Sequence, residues 1–296
     1  MQIIRVGHVG GRIPLPGPPE FGAGPPAYLR TFPVRPLPVY GMSLAALSAP
    51  GVRRVVAVGV ASVILFAGVW SEPPPRLVDR PLADYYARAL AAESEGEPHK
   101  ALAMLNLLLI PEETYVAVDY SALPENERAR FRRGVALAFE MWGEALGDDF
   151  PFRLVAEDPD AQVQLRFLDD IKNGSADCKG EIRSKRRIQW NHEVHYSEFT
   201  AEIDVSKFGR GGKFLGEGDV THIVAHELGH ALGLGDASAR DRIMGAVAIG
   251  NPYGKLHASE VEAVKAFRQL IRAQINRISS DIRLAEPSGL VPDTAG

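Results

Sequence analysis

Between Pro111 and Ile275 the apolar positions change rhythm several times, and each rhythm predicts an element. Alternation over Tyr115–Asp119, Phe152–Ala156 and Gln162–Leu168 reads as strands; the last puts Val163, Leu165 and Phe167 on one face. Ile182–Trp190 and Phe199–Val205 read as a hairpin pair. A period near 3.6 takes over after Pro124, where Phe131, Val135, Ala138, Phe139 and Trp142 line one side of a helix reaching Leu146. A Gly-rich loop, Gly209 to Gly218, leads into a second helix over Asp219–Leu232. A third starts at the cap Ser259, with Glu262 in the capping-box position, and runs to about Ile275.

Upstream, Leu82–Leu109 reads as two short helices broken at Glu95-Gly96-Glu97-Pro98. One such pair cannot stack into a solenoid, so it predicts a packing element or a pro-segment. The first fifty residues hold ten Pro and seven Gly, a composition that cannot offset its ordering entropy by burial; residues 1–52 are expected to be disordered. Met42 offers an alternative start. Arg53-Arg54, the uncharged run Val55–Trp70 and Pro73-Pro74-Pro75 then fit a secretory signal over residues 53–71, with Val69 and Ser71 at the −3 and −1 positions of a cleavage site. The rival is an uncleaved membrane tether through residues 55–70, oriented by its basic end. Either places the remainder outside the cytoplasm: a linker and helical hairpin (72–112), a main domain (113–278) and a flexible tail (279–296).

Composition narrows the chemistry. A hydrophobic share of 46% permits a full core, and a net charge of −4 gives no electrostatic case for nucleic acid. The single cysteine, Cys178, excludes a disulfide framework and a Cys-rich zinc ribbon, so any metal must be held by His and carboxylates. The basic run Lys185-Arg186-Arg187 reads as a solvated strand edge, or as a patch steering acidic substrates.

One segment carries chemistry. His226 and His230 lie four apart on a predicted helix, which puts both imidazoles on one face, about 5–6 Å apart, as two legs of a zinc site. Glu227 then points beside the metal, where it can take a proton from an activated water and deliver it to a leaving amine. Gly233 follows His230 by three residues, where the helix must end and the chain turn. Asp236 follows by three more, where a third ligand would swing back; His257 and Glu260 are rival candidates for that role. Met244 lies eight residues further, placed to floor the site. His222, one turn before His226, could orient a ligand, but a half-buried helix histidine is the preferred reading.

The pattern His226-Glu227-x-x-His230-x-x-Gly233-x-x-Asp236 with Met244 resembles the metzincin clan of metalloproteases. Ile223-Val224-Ala225, Leu256-His257-Ala258-Ser259-Glu260 and Ala138-Phe139-Glu140-Met141-Trp142 resemble its matrixin branch, and the likeness spans roughly Glu113–Ile275. The resemblance implies an α/β (α+β) catalytic domain: a twisted, mostly parallel sheet with an antiparallel edge strand, an active-site helix and a C-terminal helix. It implies Zn²⁺ held by His226, His230 and Asp236, Glu227 as general base, Met244 as the Met-turn, and protein or peptide substrates bound along the edge strand by β-augmentation. The expected protein is a monomeric zinc endopeptidase, secreted or anchored on the extracytoplasmic face. The alternative is a non-catalytic zinc-binding interaction domain of the same fold. The sequence departs from the usual pattern in three ways: Asp236 stands where most matrixins have His, no clear structural-metal loop precedes the helix (His192 and His195 are the only candidates), and no cysteine switch is visible.

Overall fold

A computed structural model describes residues 2–9, 76–156, 158–171, 178–190, 195–252 and 254–285. Five helices and one sheet make up this part: β1 (Gln2–Val9), α1 (Arg80–Ser94), α2 (Pro98–Leu108), β2 (Thr114–Asp119), α3 (Glu125–Leu146), β3 (Phe152–Val155), β4 (Val163–Leu168), β5 (Gly180–Trp190), β6 (His195–Ser206), α4 (Glu217–Ala231) and α5 (Ala258–Ala285). The strand order is β1-β5-β6-β4-β2-β3. Strands β3, β2, β4 and β6 run parallel, and β5 returns antiparallel to β6. This is the α/β arrangement anticipated from the sequence. The strand patterns place their hydrophobic face correctly: Val163, Leu165 and Phe167 are buried, as are Ile203 and Val205 beside them.

Helix α3 lies beneath the sheet, with Phe131, Val135, Ala138, Phe139 and Trp142 all buried in the main core. Trp142 does more than fill space, since its indole N–H donates to the Ala225 carbonyl at 2.8 Å. That bond ties α3 to the middle of α4. Gly134 permits the contact further along; a Cβ there would collide with Val220.

Three boundaries differ from the sequence reading, each for a packing reason. First, Gln2–Val9 forms a strand antiparallel to Arg183–Trp190 of β5, although the surrounding composition predicts disorder. The antiparallel β5 presents an otherwise open row of backbone donors and acceptors, and eight residues of any non-Pro sequence can satisfy it. Second, α5 continues to Ala285 instead of ending near Ile275 and giving way to a flexible tail from residue 279, because Ile271 and Ile278 are buried against the hairpin α1–α2 and Arg277 pairs with Glu93 at 2.5 Å. Third, the helix start lies two residues earlier than expected, with His257 and not Ser259 preceding the first turn, so Glu260 rather than Glu262 reaches back to the chain before the helix, accepting the His257 N–H at 2.7 Å.

The hairpin is not a separate module among the described residues. Leu82, Tyr86, Leu105 and Leu108 share one buried cluster with Ile188 of β5 and Phe267 of α5. The proposed signal or tether at 53–71 lies outside the described residues, and none of the described helices is long and apolar enough to cross a membrane.

Candidate metal centre

Helix α4 opens at Gly216, whose N–H is accepted by Asp219 Oδ2 at 3.1 Å; Oδ1 of the same residue takes the Gly250 N–H at 2.8 Å. One buried carboxylate therefore fixes both the start of the helix and a loop that follows the metal motif. The helix ends at Gly233, whose φ of +104° few residues other than glycine adopt. The Gly233 N–H bonds His230 O at 3.0 Å and the Leu234 N–H bonds Gly229 O at 2.9 Å, closing the last turn. The chain then doubles back and brings Asp236 over the helix.

His226, His230 and Asp236 form the only His/Cys/Asp/Glu group among the described residues whose ligand atoms converge. Their geometry fits a small cation. Nε2 of His226 and Nε2 of His230 are 3.1 Å apart, and Asp236 Oδ1 lies 3.3 and 3.4 Å from them. A tetrahedral ion with bonds of 2.0–2.1 Å needs ligand-to-ligand edges of about 3.3–3.4 Å, so the three atoms stand at almost the required spacing. The tautomers agree. His226 Nδ1 donates to Ile243 O at 2.8 Å and His230 Nδ1 donates to Leu234 O at 2.8 Å. With both rings neutral, each Nε2 lone pair would face the shared point, an arrangement that is repulsive unless a cation or a proton lies between them.

The electrostatics say the same. Asp236 is held far below the ordinary carboxylate range by its bonds to His226 and His230. Burial opposes a charge on His230, but Asp236, Glu227 and the Leu234 carbonyl outweigh it and raise its pKa to about 9. The locus attracts a cation or a proton.

Glu227 is only 4% exposed, and burial raises its carboxyl pKa. It faces strand β5, where Gly180 is required: a Cβ at that position would overlap Glu227 Oε1 and Ile223. Cys178 sits nearby, half-buried, its thiol bonded to Gly180 O at 3.0 Å and its pKa raised by burial and by Glu227. Met244 is buried against Gly229, the residue before His230, where a Cβ would collide with its sulfur.

Several supporting groups escaped the sequence reading. The Ile243 carbonyl holds His226 and also His222, whose Nε2 lies 3.1 Å away; a backbone atom leaves no trace in side-chain identity. Burial lowers the pKa of His222, so it serves as a neutral donor. Glu260, a rival ligand in the sequence, takes a different role: it is fully buried and accepts the Met244 N–H at 2.8 Å. His257 is likewise outside the metal group, bonded through Nδ1 to Ser259 Oγ at 2.8 Å. Of the basic run, Lys185 is exposed and Arg187 pairs with Glu198, but Arg186 is buried. His192 lies outside the described residues, as does the side chain of His195.

Residues 112–268 match the family model of the matrixin peptidases, more than half of the chain, and the chain belongs to that family. No curated protein matches it.

Proposed function

We propose that the protein is a zinc-dependent endopeptidase in which His226, His230 and Asp236 hold the ion and Glu227 is the general base and acid. The observation that carries this reading is the convergence of three ligand atoms 3.1–3.4 Å apart beside a buried glutamate. When bound, the ion supplies Lewis acidity, acidifying a water to a pKa near 7 and polarising the scissile carbonyl. Everything else is done by the chain. The Ile243 and Leu234 carbonyls fix the imidazole tautomers and ring directions. Burial leaves the Glu227 carboxylate poorly solvated, which strengthens it as an acceptor for the water's proton and lets it return that proton to the leaving amine. Strand β5 pairs with β6 on one side and with Gln2–Val9 on the other; with Gln2–Val9 displaced, that edge would hold an extended peptide by main-chain hydrogen bonds, while Gly180 leaves room for the Glu227 carboxylate beside it. Proteins or peptides outside the cytoplasm are the substrates, consistent with a signal or anchor at residues 53–71.

The test is Glu227→Ala, assayed with labelled peptides or casein and by zinc content. Zinc should stay bound while cleavage falls by at least three orders of magnitude. Cleavage that survives the substitution would refute the role of Glu227.

A further inference from the structure

The matched family span begins at residue 112 and ends at 268, which leaves out both the hairpin α1–α2 and the last turns of α5. These two leftover pieces pack on each other and on the metal-bearing turn. Asp79 N–H donates to Gly233 O at 2.8 Å and Gly235 N–H donates to Leu77 O at 2.9 Å, with Val78 bridging Leu234 in an antiparallel pair. The residues just before α1 thus form a short ladder with the turn that delivers Asp236. Leu82 of α1 closes over the same turn; a Cβ on Gly233 would meet its Cδ1 at 3.3 Å, with Phe267 of α5 on the other side.

A second tie comes from Arg186 on β5, a fully buried guanidinium. It donates to Leu107 O at 3.1 Å and Leu108 O at 2.8 Å, and through its other terminal nitrogen to Ala231 O at 3.1 Å. Those carbonyls end α2 and α4, and carbonyls at helix C-termini lack intrahelical partners and attract cations. Burial lowers the Arg186 pKa to about 10, so the group remains charged at neutral pH. One side chain therefore joins the end of the hairpin to the residue that follows His230.

We propose that residues 77–110 are a permanent positioning element of the catalytic domain, not a segment removed on activation. Through the Leu77–Asp79 ladder, Leu82 and Arg186, they hold the turn from His230 to Asp236 in register with the active-site helix. The segment packs behind the ligand turn and completes the core with Ile271 and Ile278, so its removal would expose that buried apolar surface to water. The inference rests on the metal-site reading above.

Zinc affinity of the full chain, measured by competition with a chromophoric chelator, tests it against thermal stability measured in parallel. Arg186→Met and Leu82→Ala should each weaken zinc binding about tenfold or more, as removal of groups supporting metal ligands does. Arg186→Lys, which restores the charge without the fork, should recover part of that loss. Ile278→Ala should lower stability but keep zinc affinity within about twofold, because it touches the hairpin layer and not the turn. Equal affinity in all four variants would overturn the proposal. So would a mature active form whose N-terminus, determined by mass spectrometry, lies beyond Ile110. Variants that shift zinc affinity as described in a parent chain that never cleaves peptide would uphold this inference and sink the peptidase reading.

Discussion

Glu260→Ala removes the acceptor for two backbone donors at once, the Met244 N–H at 2.8 Å and the His257 N–H at 2.7 Å. Residue 260 is wholly buried, so water cannot replace the lost carboxylate without entering the core. Hydrogen bonds to a charged partner contribute about 1.5–3 kcal/mol each, which gives an upper sum of about 6. Relief of the carboxylate's own burial offsets part of this, and about 3 kcal/mol remains. For a domain of this size, 1 kcal/mol corresponds to roughly 2–4 °C, so the melting temperature should fall by about 6–12 °C. The loss should reach the metal too, since Met244 adjoins Ile243, whose carbonyl orients His226. Differential scanning calorimetry on metal-free and zinc-loaded protein separates the two effects. The zinc-loaded form should lose more than the metal-free form, because the substitution weakens both folding and binding. A melting point lowered by less than about 2 °C in both forms would refute the bridging role assigned to Glu260.

Four further outcomes are expected. Gly180→Ala should keep zinc bound yet depress cleavage more than tenfold, because its methyl would displace the Glu227 carboxylate; unchanged turnover would contradict that contact. Trp142→Phe should cost about 1–2 kcal/mol in chemical denaturation by deleting the bond to Ala225 O, without altering zinc content. Stripping the metal with a chelator should abolish cleavage and lower stability by about 4 kcal/mol relative to zinc at a thousand times its dissociation constant; a melting curve indifferent to zinc would argue against the site. In metal-free protein, Asp119, Asp149 and Glu202 are held below the usual carboxylate range, by Ser121, Arg272 and Arg183 respectively. Depressed folded pKa values mean that their stabilisation is complete above about pH 4.5 and is lost as pH falls below it. Melting points that rise on acidification through that window would contradict this sign.

The ligand motif was legible because its information is local. Four-residue spacing, a helix-ending glycine and a three-residue return follow from backbone geometry, and the structure brings His226, His230 and Asp236 to one point. Helix α3 was equally plain, its apolar stripe long enough to define a face. Arg186 was misjudged because three adjacent cations look like a solvated edge; strand alternation sends the middle one inward, and its partners are carbonyls with no side-chain signature. The extent of α5 was underestimated for a related reason. Its last turns read as a flexible tail because they have no partner nearby in the sequence, and the partner is a hairpin some 180 residues earlier in the chain, joined to it through Glu93 and Arg277. Non-local pairing of this kind does not register in a sequence window.

Strands β1 and β5 can share a ladder only while both occupy one compartment. Were the run Val55–Trp70 to span a bilayer, or the chain to be cut after Ser71, Gln2–Val9 would part from β5. The backbone from Arg183 to Trp190 would then be bare, a row of donors and acceptors open to whatever extended chain it meets.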